Sequence, residues 1–522
     1  MHMNAHRSVP GCPKARHRTR DERRGPAARR GIVLVALLAM WLLGSAPVAS
    51  AVGGSFESSD PLLNRIWAAS VLTATDMLAP GPLATDAEGF PCAIDLPTVL
   101  IDGYVRDRCP YVGDQAVTGM TLLVSTPSAA PILRSMILWY AQNQHPDGAI
   151  PASPYDNGEL VFFDYNAYWV EDLYDYVFYT GDLSLAEEVW PNLLALMNVW
   201  YPAQVGPSGL LVNSLGPADY AYIPRTGSVV AYYNAGYVLA LRLAARVATW
   251  IGQDGQAAGW LARIAPIASV FSGAFWDAKV GAFKDSTVGP VVHPEDGNAF
   301  AILAGLATRV QGRSALDYLS YHDSEPYGAT IADNDTWDGY PWGFQASQRV
   351  YPFMSYFEVL ARYAVGFDDS ALNLIEREWG NMVEHGPMST MWEDVGAGGT
   401  APIGPDPSWD HGWSSGAAPA LTSEVLGVSP AAPGYGSFDA QPHPSNLAWA
   451  RGTVPTPHGS IRFAWNRKGP IFTATVDSPV PGTITLPVTG ATVLDGKAVE
   501  AQRVRTTVEI GAGEHTLVVT AT

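Results

Sequence analysis

The sequence predicts a mainly helical protein that ends in a small antiparallel β-domain. Apolar residues recur at helical spacing from about Asp60 to Gly427, with Gly, Pro, Asp and Asn clusters as punctuation. The character changes near Ser429, and short alternating runs separated by turns follow to the C-terminus. The length of 522 residues exceeds one typical domain of roughly 100–200 residues. Hydrophobic residues make up 47% and charged residues 16%, which supplies a large core and argues against disorder.

The helical stretches are Leu62–Leu72, Pro131–Tyr140, Tyr168–Tyr179, Leu183–Trp200, Val229–Trp250, Leu261–Phe275, Phe300–Val310, Phe353–Tyr363 and Leu372–Met382. Strand–helix alternation of the α/β kind is not visible. So many helices in one long domain fit a closed ring of helical hairpins. They also fit a solenoid, although the chain shows no fixed-period repeat. Pro430, Pro433 and Gly434 read as a linker. Beyond it Ser460–Trp465, Ile471–Val476, Gly482–Pro487, Ala491–Leu494, Thr506–Ile510 and His515–Val519 read as strands of a small sandwich. The sequence therefore divides into 1–51, 52–430 and 431–522.

The first of these segments reads as a secretory signal. Arginines crowd the start, Ile32–Leu43 is apolar, and Val48-Ala49-Ser50-Ala51 supplies small residues for cleavage. The apolar run is shorter than the ~20 residues that span a bilayer, so no stable membrane insertion is expected after cleavage. Arg29-Arg30 also leaves a twin-arginine signal open. The predicted destination is extracellular. Cys92 and Cys109 would then meet an oxidising environment, where a disulfide between them can form. The net charge of −19, set against a basic leader, makes the body acidic and excludes nucleic acid as a partner. No Cys/His metal-ligand spacing appears, and neither a metal nor a cofactor is expected.

Chemistry concentrates in three places. The stretch Asp102-Gly103-Tyr104-Val105-Arg106-Asp107-Arg108-Cys109-Pro110-Tyr111-Val112-Gly113-Asp114 packs acids and arginines into one Gly- and Pro-broken loop before a helix. Asp114 is placed to cap that helix, and any one acid here also fits a salt bridge. Together with Tyr111 the set looks like a polar sugar pocket, in which acids accept hydroxyl hydrogens and a ring stacks. Glu393-Asp394 follows Trp392, where a partly desolvated carboxylate suits acid–base work. Its plainer reading is a helix-end carboxylate in solvent. His411 lies between Trp409 and Trp413, as a packing residue or a cleft residue. Asp164-Tyr165, Asp219-Tyr220 and Trp337-Asp338 are further acid–aromatic pairs, which a helical barrel would gather at one mouth.

These motifs, in this order, resemble those of the α-L-rhamnosidases of glycoside hydrolase family 78. Asp60-Pro61-Leu62-Leu63-Asn64-Arg65-Ile66-Trp67 resembles the start of that family's catalytic domain. Asp102–Asp114 resembles its acid-rich motif, Trp379-Gly380-Asn381-Met382 with Thr390–Glu393 its second, and His411-Gly412-Trp413-Ser414-Ser415-Gly416 its third. The resemblance runs from about Phe56 to Leu517 and implies an (α/α)6 barrel, or six-hairpin toroid, followed by a C-terminal antiparallel β-sandwich. It also implies an inverting hydrolase that removes terminal α-L-rhamnose from a glycoside. By the same resemblance Asp107 falls at the general acid, where Glu is common, and Glu393 at the general base. Asp102, Tyr111, Asp114 and His411 fall at sugar-binding positions, with Tyr111 in place of a Trp. Arg106 shares the loop, and Asp164, Asp219 and Tyr220 match substrate-binding positions less closely. Many members carry β-rich domains before the barrel, whereas only the leader and a few residues stand there in this chain. A small substrate is therefore expected. Two rivals remain. One is a six-hairpin glycosidase for another sugar, such as an uronide held by Arg106 or Arg225. The other is a secreted sugar-binding protein without catalysis, and a purely structural role fits the acid–aromatic loops poorly.

Overall fold

The computed structural model describes residues 53–85, 89, 91–92, 94–104, 108–154, 160–217, 219–225, 227–337, 345–400, 408–500 and 505–521. Asp60 starts the first helix, α1 (Pro61–Asp76). Its carboxylate accepts from the Leu62 amide at 2.7 Å, and Pro61 fills a first-turn position that needs no amide donor. An inner set of helices follows: α2 (Val112–Ser125), α4 (Tyr165–Thr180), α8 (Ala231–Trp250), α11 (Glu295–Leu303) and α13 (Pro352–Val365). A composite sixth inner helix closes the set, made of a 3-10 turn (Gly412–Gly416), α15 (Ala417–Ala420) and a π turn (Leu421–Leu426). Each of these packs on the next in chain order, and the composite helix packs back on α2.

The outer set is α1, α3 (Ala130–Gln142), a broken run, the pair α9 (Asp254–Ala262) and α10 (Ile264–Phe275), α12 (Arg309–His322) and α14 (Asp368–His385). The broken run comprises α5 (Leu183–Glu188), α6 (Trp190–Ala195), a π turn (Leu196–Trp200) and α7 (Tyr201–Ala203). This is the expected six-hairpin (α/α)6 barrel. Burial follows from the two-ring arrangement. All 14 residues of α2 are buried, because both of its sides face other elements. In contrast α14 buries one stripe that includes Leu372, Ile375, Trp379 and Met382, and leaves its acidic side to water. The α9–α10 stretch, Asp254–Phe275, is long and apolar enough to cross a membrane by composition. Here it lies in the outer ring and packs Trp260, Ile264, Ile267, Phe271 and Phe275 inward.

Two sequence readings change at helix breaks. Phe300–Val310 is not one helix. α11 ends at Leu303, Gly305 takes a left-handed φ of +69°, and Thr308 restarts the chain through a capping box with Gln311. Leu183–Trp200 is interrupted at Val189, ahead of Pro191, whose ring nitrogen cannot donate to a helical carbonyl.

The β-domain has two sheets. With strands numbered β1 (Ser55–Ser58), β2 (Val428–Pro430), β3 (Phe438–Ala440), β4 (Trp449–Thr456), β5 (Gly459–Lys468), β6 (Ile471–Ser478), β7 (Gly482–Leu486), β8 (Gly490–Leu494), β9 (Lys497–Val499), β10 (Thr506–Ile510) and β11 (Gly513–Ala521), the larger sheet runs β1-β4-β5-β6-β11-β8-β9. The smaller runs β10-β7-β3-β2, antiparallel except between β7 and β3. The six strands read from the sequence all form. Ser55–Ser58 and Val428–Pro430, which the sequence placed with the helices, hydrogen-bond into these sheets instead. The supposed linker is therefore buried structure, with Pro430, Gly434 and Tyr435 all inside.

Within the barrel wall Glu295, Glu358 and Glu378 are fully buried. Arg362 pairs with Glu358 through Nε at 2.7 Å, and Glu378 accepts from the Ala329 amide at 3.1 Å. Arg362 and the nearby Arg377 do not offset the burial of three carboxyls. Burial, then repulsion from Glu358 and Glu378, pushes Glu295 well up. Burial, with a smaller push from Glu358, lifts Glu378 to about 8 against the pull of the Ala329 amide and Arg377. Such a group is neutral in the fold and ionised in the unfolded chain, so its stabilising share is lost as pH rises from about 4.3 to the folded value. The thermal midpoint should accordingly fall between mildly acidic pH and pH 8. Glu378→Gln should flatten that fall, as read from melting curves across this range.

Candidate active site

The N-terminal ends of the six inner helices meet at one end of the barrel, and short backbone pairings lace them into a ring. Val112 N donates to Ala152 O at 2.9 Å, joining the lead-in of α2 to that of α4. Tyr220 N donates to Asp164 at 3.1 Å, joining α4 to α8. Val230 bridges Ser286, Pro294 bridges Ala332, Val350 bridges Val395, and Gly103 bridges His411. The last bridge closes the ring between the composite helix and α2. First-turn amides without helical partners point into this mouth and favour carboxylates there.

Asp102, Asp114 and His411 come together across the closing seam, all of them buried. His411 Nε2 pairs with Asp102 Oδ1, and His411 Nδ1 faces Asp114 Oδ1 at 3.8 Å. Among the described residues this is the group whose ligand atoms lie close enough, within 4.8 Å, to hold a metal ion. The two acids approach opposite ring nitrogens, however. With Asp102 and Asp114 also sharing a side-chain hydrogen bond, the three make one compact buried carboxylate–imidazole–carboxylate relay. Asp114 does not cap its helix. Tyr111 occupies the cap position and offers no side-chain bond, while Asp114 sits in the first turn. Its carboxyl turns to the relay, and burial, then the charges of Asp102 and Glu393, push it well above the usual carboxylate range. Gly113 lets α2 approach α4, since a Cβ there would enter the Tyr165 ring.

Glu393 is half-buried on the segment that leads into the composite helix, the His411 side of this seam. Its amide donates to Ser408 O at 3.0 Å, and its carbonyl accepts from Trp413 Nε1 at 2.9 Å. Asp394 beside it is buried, 3.9 Å from Arg349 Nε. Trp413 stacks on Phe353 and lies 4.5 Å from the His411 ring, centroid to centroid. Tyr351 meets Trp413 edge-on at 5.9 Å and Tyr220 edge-on at 5.8 Å. This aromatic floor connects the Glu393 sector to the Asp164 sector. Asp410, next to His411, is lifted to about 7 by burial and by Asp76.

Asp164, Asp219 and Tyr220 also sit at the mouth, but below its surface. Asp164 Oδ2 accepts from Tyr220 N and from Tyr232 OH at 3.1 Å, and burial followed by the charge of Asp219 pushes the group well up. Asp219 has 0% exposure and both oxygens engaged, by the Ile223 amide at 2.9 Å, Tyr233 OH at 2.8 Å and Arg225 Nε at 3.1 Å. With those bonds made it has no oxygen left for a sugar, and its role is to hold the loop. Arg225 is likewise committed: beyond Asp219 it bonds Asp285 at 2.6 Å and Asp296 at 2.5 Å, and it lies over Tyr232, Tyr233 and Trp337. A guanidinium that neutralises three buried acids is not a partner for a uronate.

Arg106 and Asp107 lie outside the described residues, as does Asp338. Around them, Cys92 and Cys109 are disulfide-bonded with Cα atoms 5.9 Å apart, and Cys109 O accepts from the Asp102 amide at 3.1 Å. Arg108 lies over the Tyr104 ring at 5.0 Å. Tyr111 is half-buried at the start of α2. Sequence reasoning missed Arg349, Tyr351, Asp285, Glu295 and Asp296. Of these only the Glu295-Asp296 pair after Pro294 carries a local signal, since two acids mark a helix start.

Residues 93–321 match the bacterial alpha-L-rhamnosidase 6 hairpin glycosidase domain, and residues 427–503 match the bacterial alpha-L-rhamnosidase C-terminal domain. Among solved structures, the chain is similar to the GH78 family rhamnosidase of Bacillus sp. GL1, with 24% identity and a TM-score of 0.62, over 80% of this chain and 40% of that one. It is similar to the Streptomyces avermitilis alpha-L-rhamnosidase complexed with L-rhamnose, with 20% identity and a TM-score of 0.68, over 90% of this chain and 42% of that one. A rhamnosidase from Klebsiella oxytoca with rhamnose bound shares 21% identity and a TM-score of 0.55, over 71% and 66% of the two chains. No curated protein matches. The chain thus spans 40% and 42% of the first two of these structures.

Arg225→Met should strand three buried carboxylates. Removing one partner of a buried ion network costs about 3–5 kcal/mol, so the variant should show a strongly lowered denaturant midpoint. An unchanged midpoint would contradict the structural role given to Arg225.

Proposed function

We propose, for a chain that belongs to the bacterial α-L-rhamnosidase family, an inverting glycoside hydrolysis that releases terminal α-L-rhamnose from rhamnosides. The observation that carries this reading is the pairing of two sectors across one seam. Glu393 and His411 stand on one side and Asp102 and Asp114 on the other, close enough that the charge of Glu393 is felt at Asp114.

In this reaction the bond between the anomeric carbon and the glycosidic oxygen breaks. Asp107, protonated, gives its proton to the leaving oxygen. A water attacks the opposite face of the ring, and ionised Glu393 takes the proton that this water sheds. Inversion requires the two carboxyls to stand about 6.5–9.5 Å apart, leaving room for the water. Asp102 and His411 suit the sugar hydroxyls as acceptor and donor, and Asp114, pushed toward its neutral form by burial and Asp102, suits a hydroxyl oxygen as donor. Arg106 and Tyr111 complete the sugar contacts, while Asp164 and Tyr220 support the floor beneath them. The commitment of Arg225 to three acids weighs against a uronide substrate.

The proposal extends to location: residues 1–51 direct export and are removed. The bonded Cys92–Cys109 pair supports it, because disulfides are rare where thiols are kept reduced. N-terminal sequencing of protein collected from the culture medium should begin near Val52.

Purified protein should release rhamnose from an aryl α-L-rhamnoside, with the β-anomer appearing first in the proton NMR spectrum. Glu393→Gln and Asp107→Asn should each lose nearly all activity. Full activity in either variant refutes its assigned role, and rhamnose binding without turnover of any glycoside points instead to a non-catalytic binding protein.

A further inference from the structure

We propose that Arg349 is a positioning residue for the hydrolysis, a buried cation pinned to the Glu393–Asp394 segment that favours the ionised form of Glu393. The inference rests on the reading of Glu393 as the base. It starts from backbone geometry. Val350 and Val395 exchange both backbone hydrogen bonds at 2.9 Å, so the segment before α13 is pinned against the segment that carries Glu393 and Asp394. The same segment is held from its other side, where Ile331 N donates to Arg349 O at 3.0 Å. Arg349 therefore cannot move independently of Glu393.

Its side chain is 3% exposed and reaches Asp394, whose Oδ1 lies 3.9 Å from Nε, and Tyr351, whose OH accepts at 3.4 Å. The guanidinium also lies 5.8 Å from the Tyr351 ring centroid. Burial works against its charge, and Tyr351, Asp394 and Glu393 more than offset that, raising the group above its ordinary range. The attraction is mutual by necessity, because a carboxylate that stabilises a guanidinium is stabilised by it.

The need for such a cation follows from the neighbours. The composite helix brings His411, α2 brings Asp114, its lead-in loop brings Asp102, and the Glu393 segment brings Asp394, while Tyr351 comes from the lead-in of α13. Four carboxyls crowd this mouth. Left alone they would drive Glu393 toward its neutral, base-incompetent form. His411 is turned to Asp102 and Asp114, whereas Arg349 reaches the segment that carries Glu393 and Asp394.

The test is a titration of the whole protein labelled with carbon-13 at glutamate carboxyls, with the Glu393 resonance identified by its loss in Glu393→Gln. In Arg349→Met that resonance should titrate about one pH unit higher, a shift worth tenfold in the charged fraction. Arg349→Lys, which keeps the charge, should stay near the wild type. Arg349→Gln is the second neutral variant if Arg349→Met does not fold. The acidic limb of kcat/KM on an aryl rhamnoside should move upward with the resonance. An unmoved Glu393 titration in a folded neutral variant overturns the proposal. If the resonance moves while no variant or wild type turns over a glycoside, the charge coupling stands and the catalytic reading fails.

Discussion

Six helices that all begin at the same end of a closed ring impose the constraint on which the site depends. Each inner helix leaves its first amides without helical partners, and all of them face one mouth. The chain answers that constraint locally. Carboxylates collect at the helix starts, with Asp114, Glu295 and Asp296 in first turns and Asp164 just before one. The lead-in loops answer it too, by bonding sideways to one another from Gly103 and His411 around to Val350 and Val395. The mouth is therefore acidic because of how the barrel is wound, before any substrate is considered. A sugar site needs acids and aromatic rings in one rigid place, and this architecture supplies both.

The cost of that solution is charge. An ionised carboxylate taken out of water costs several kcal/mol after relaxation, and only a well-placed counter-charge or protonation relieves it. The structure uses both remedies in separate sectors. Arg225 neutralises Asp219, Asp285 and Asp296 between α8 and α11, and Arg362 answers Glu358 inside α13. Where the nearby arginine does not outweigh burial, the acid is lifted instead, as at Asp164 near Arg225 and Glu378 near Arg377. Asp114 and Glu393 are near enough to influence each other, yet their surroundings differ. Asp114 is enclosed, with Asp102, His411 and Tyr165 about it, whereas Glu393 is half-buried beside the segment that Arg349 reaches.

Sequence pattern reached the fold class because inner and outer helices both keep apolar positions at helical spacing, and the strands of the sandwich alternate. It failed where periodicity carries no signal. Val112–Ser125 is buried all round and holds two glycines, so it offers no polar face to reveal a helix. Ser55–Ser58 is four residues long, and its partner Trp449–Thr456 lies at the far end of the chain. At the site, the acid-rich loop and the His–Trp segment stand out as local clusters of rare residues. Arg349, Tyr351 and Asp285 do not, because each is a lone polar residue in an unremarkable stretch. Only the ring of bridges brings them to the mouth. The commitment of Asp219 to Arg225 was equally invisible, since six residues of separation say nothing of a bond that depends on the turn between them.

The β-sandwich then has a mechanical part to play in a site it does not line. A ring built from one chain has a seam where its first and last hairpins meet, and here the seam lies between α1–α2 and the composite helix. Covalent continuity does not hold those two together. Direct packing does, with Thr121 Oγ1 donating to Ser415 O at 3.0 Å, and the sandwich adds to it: β1, which runs directly into α1, pairs along its length with β4, and Trp465 of β5 donates to Val425 O at the end of the composite helix at 2.9 Å. Gly54 N donates to Ser125 O at the end of α2 at 2.7 Å. Both sides of the seam are thus anchored to the same sheet, at the end of the barrel opposite the mouth. Asp102 and His411 face each other across that seam, on different hairpins, and their contact is only as fixed as the seam itself. A domain with few acids of its own thereby helps to set the geometry of the relay from a barrel's length away.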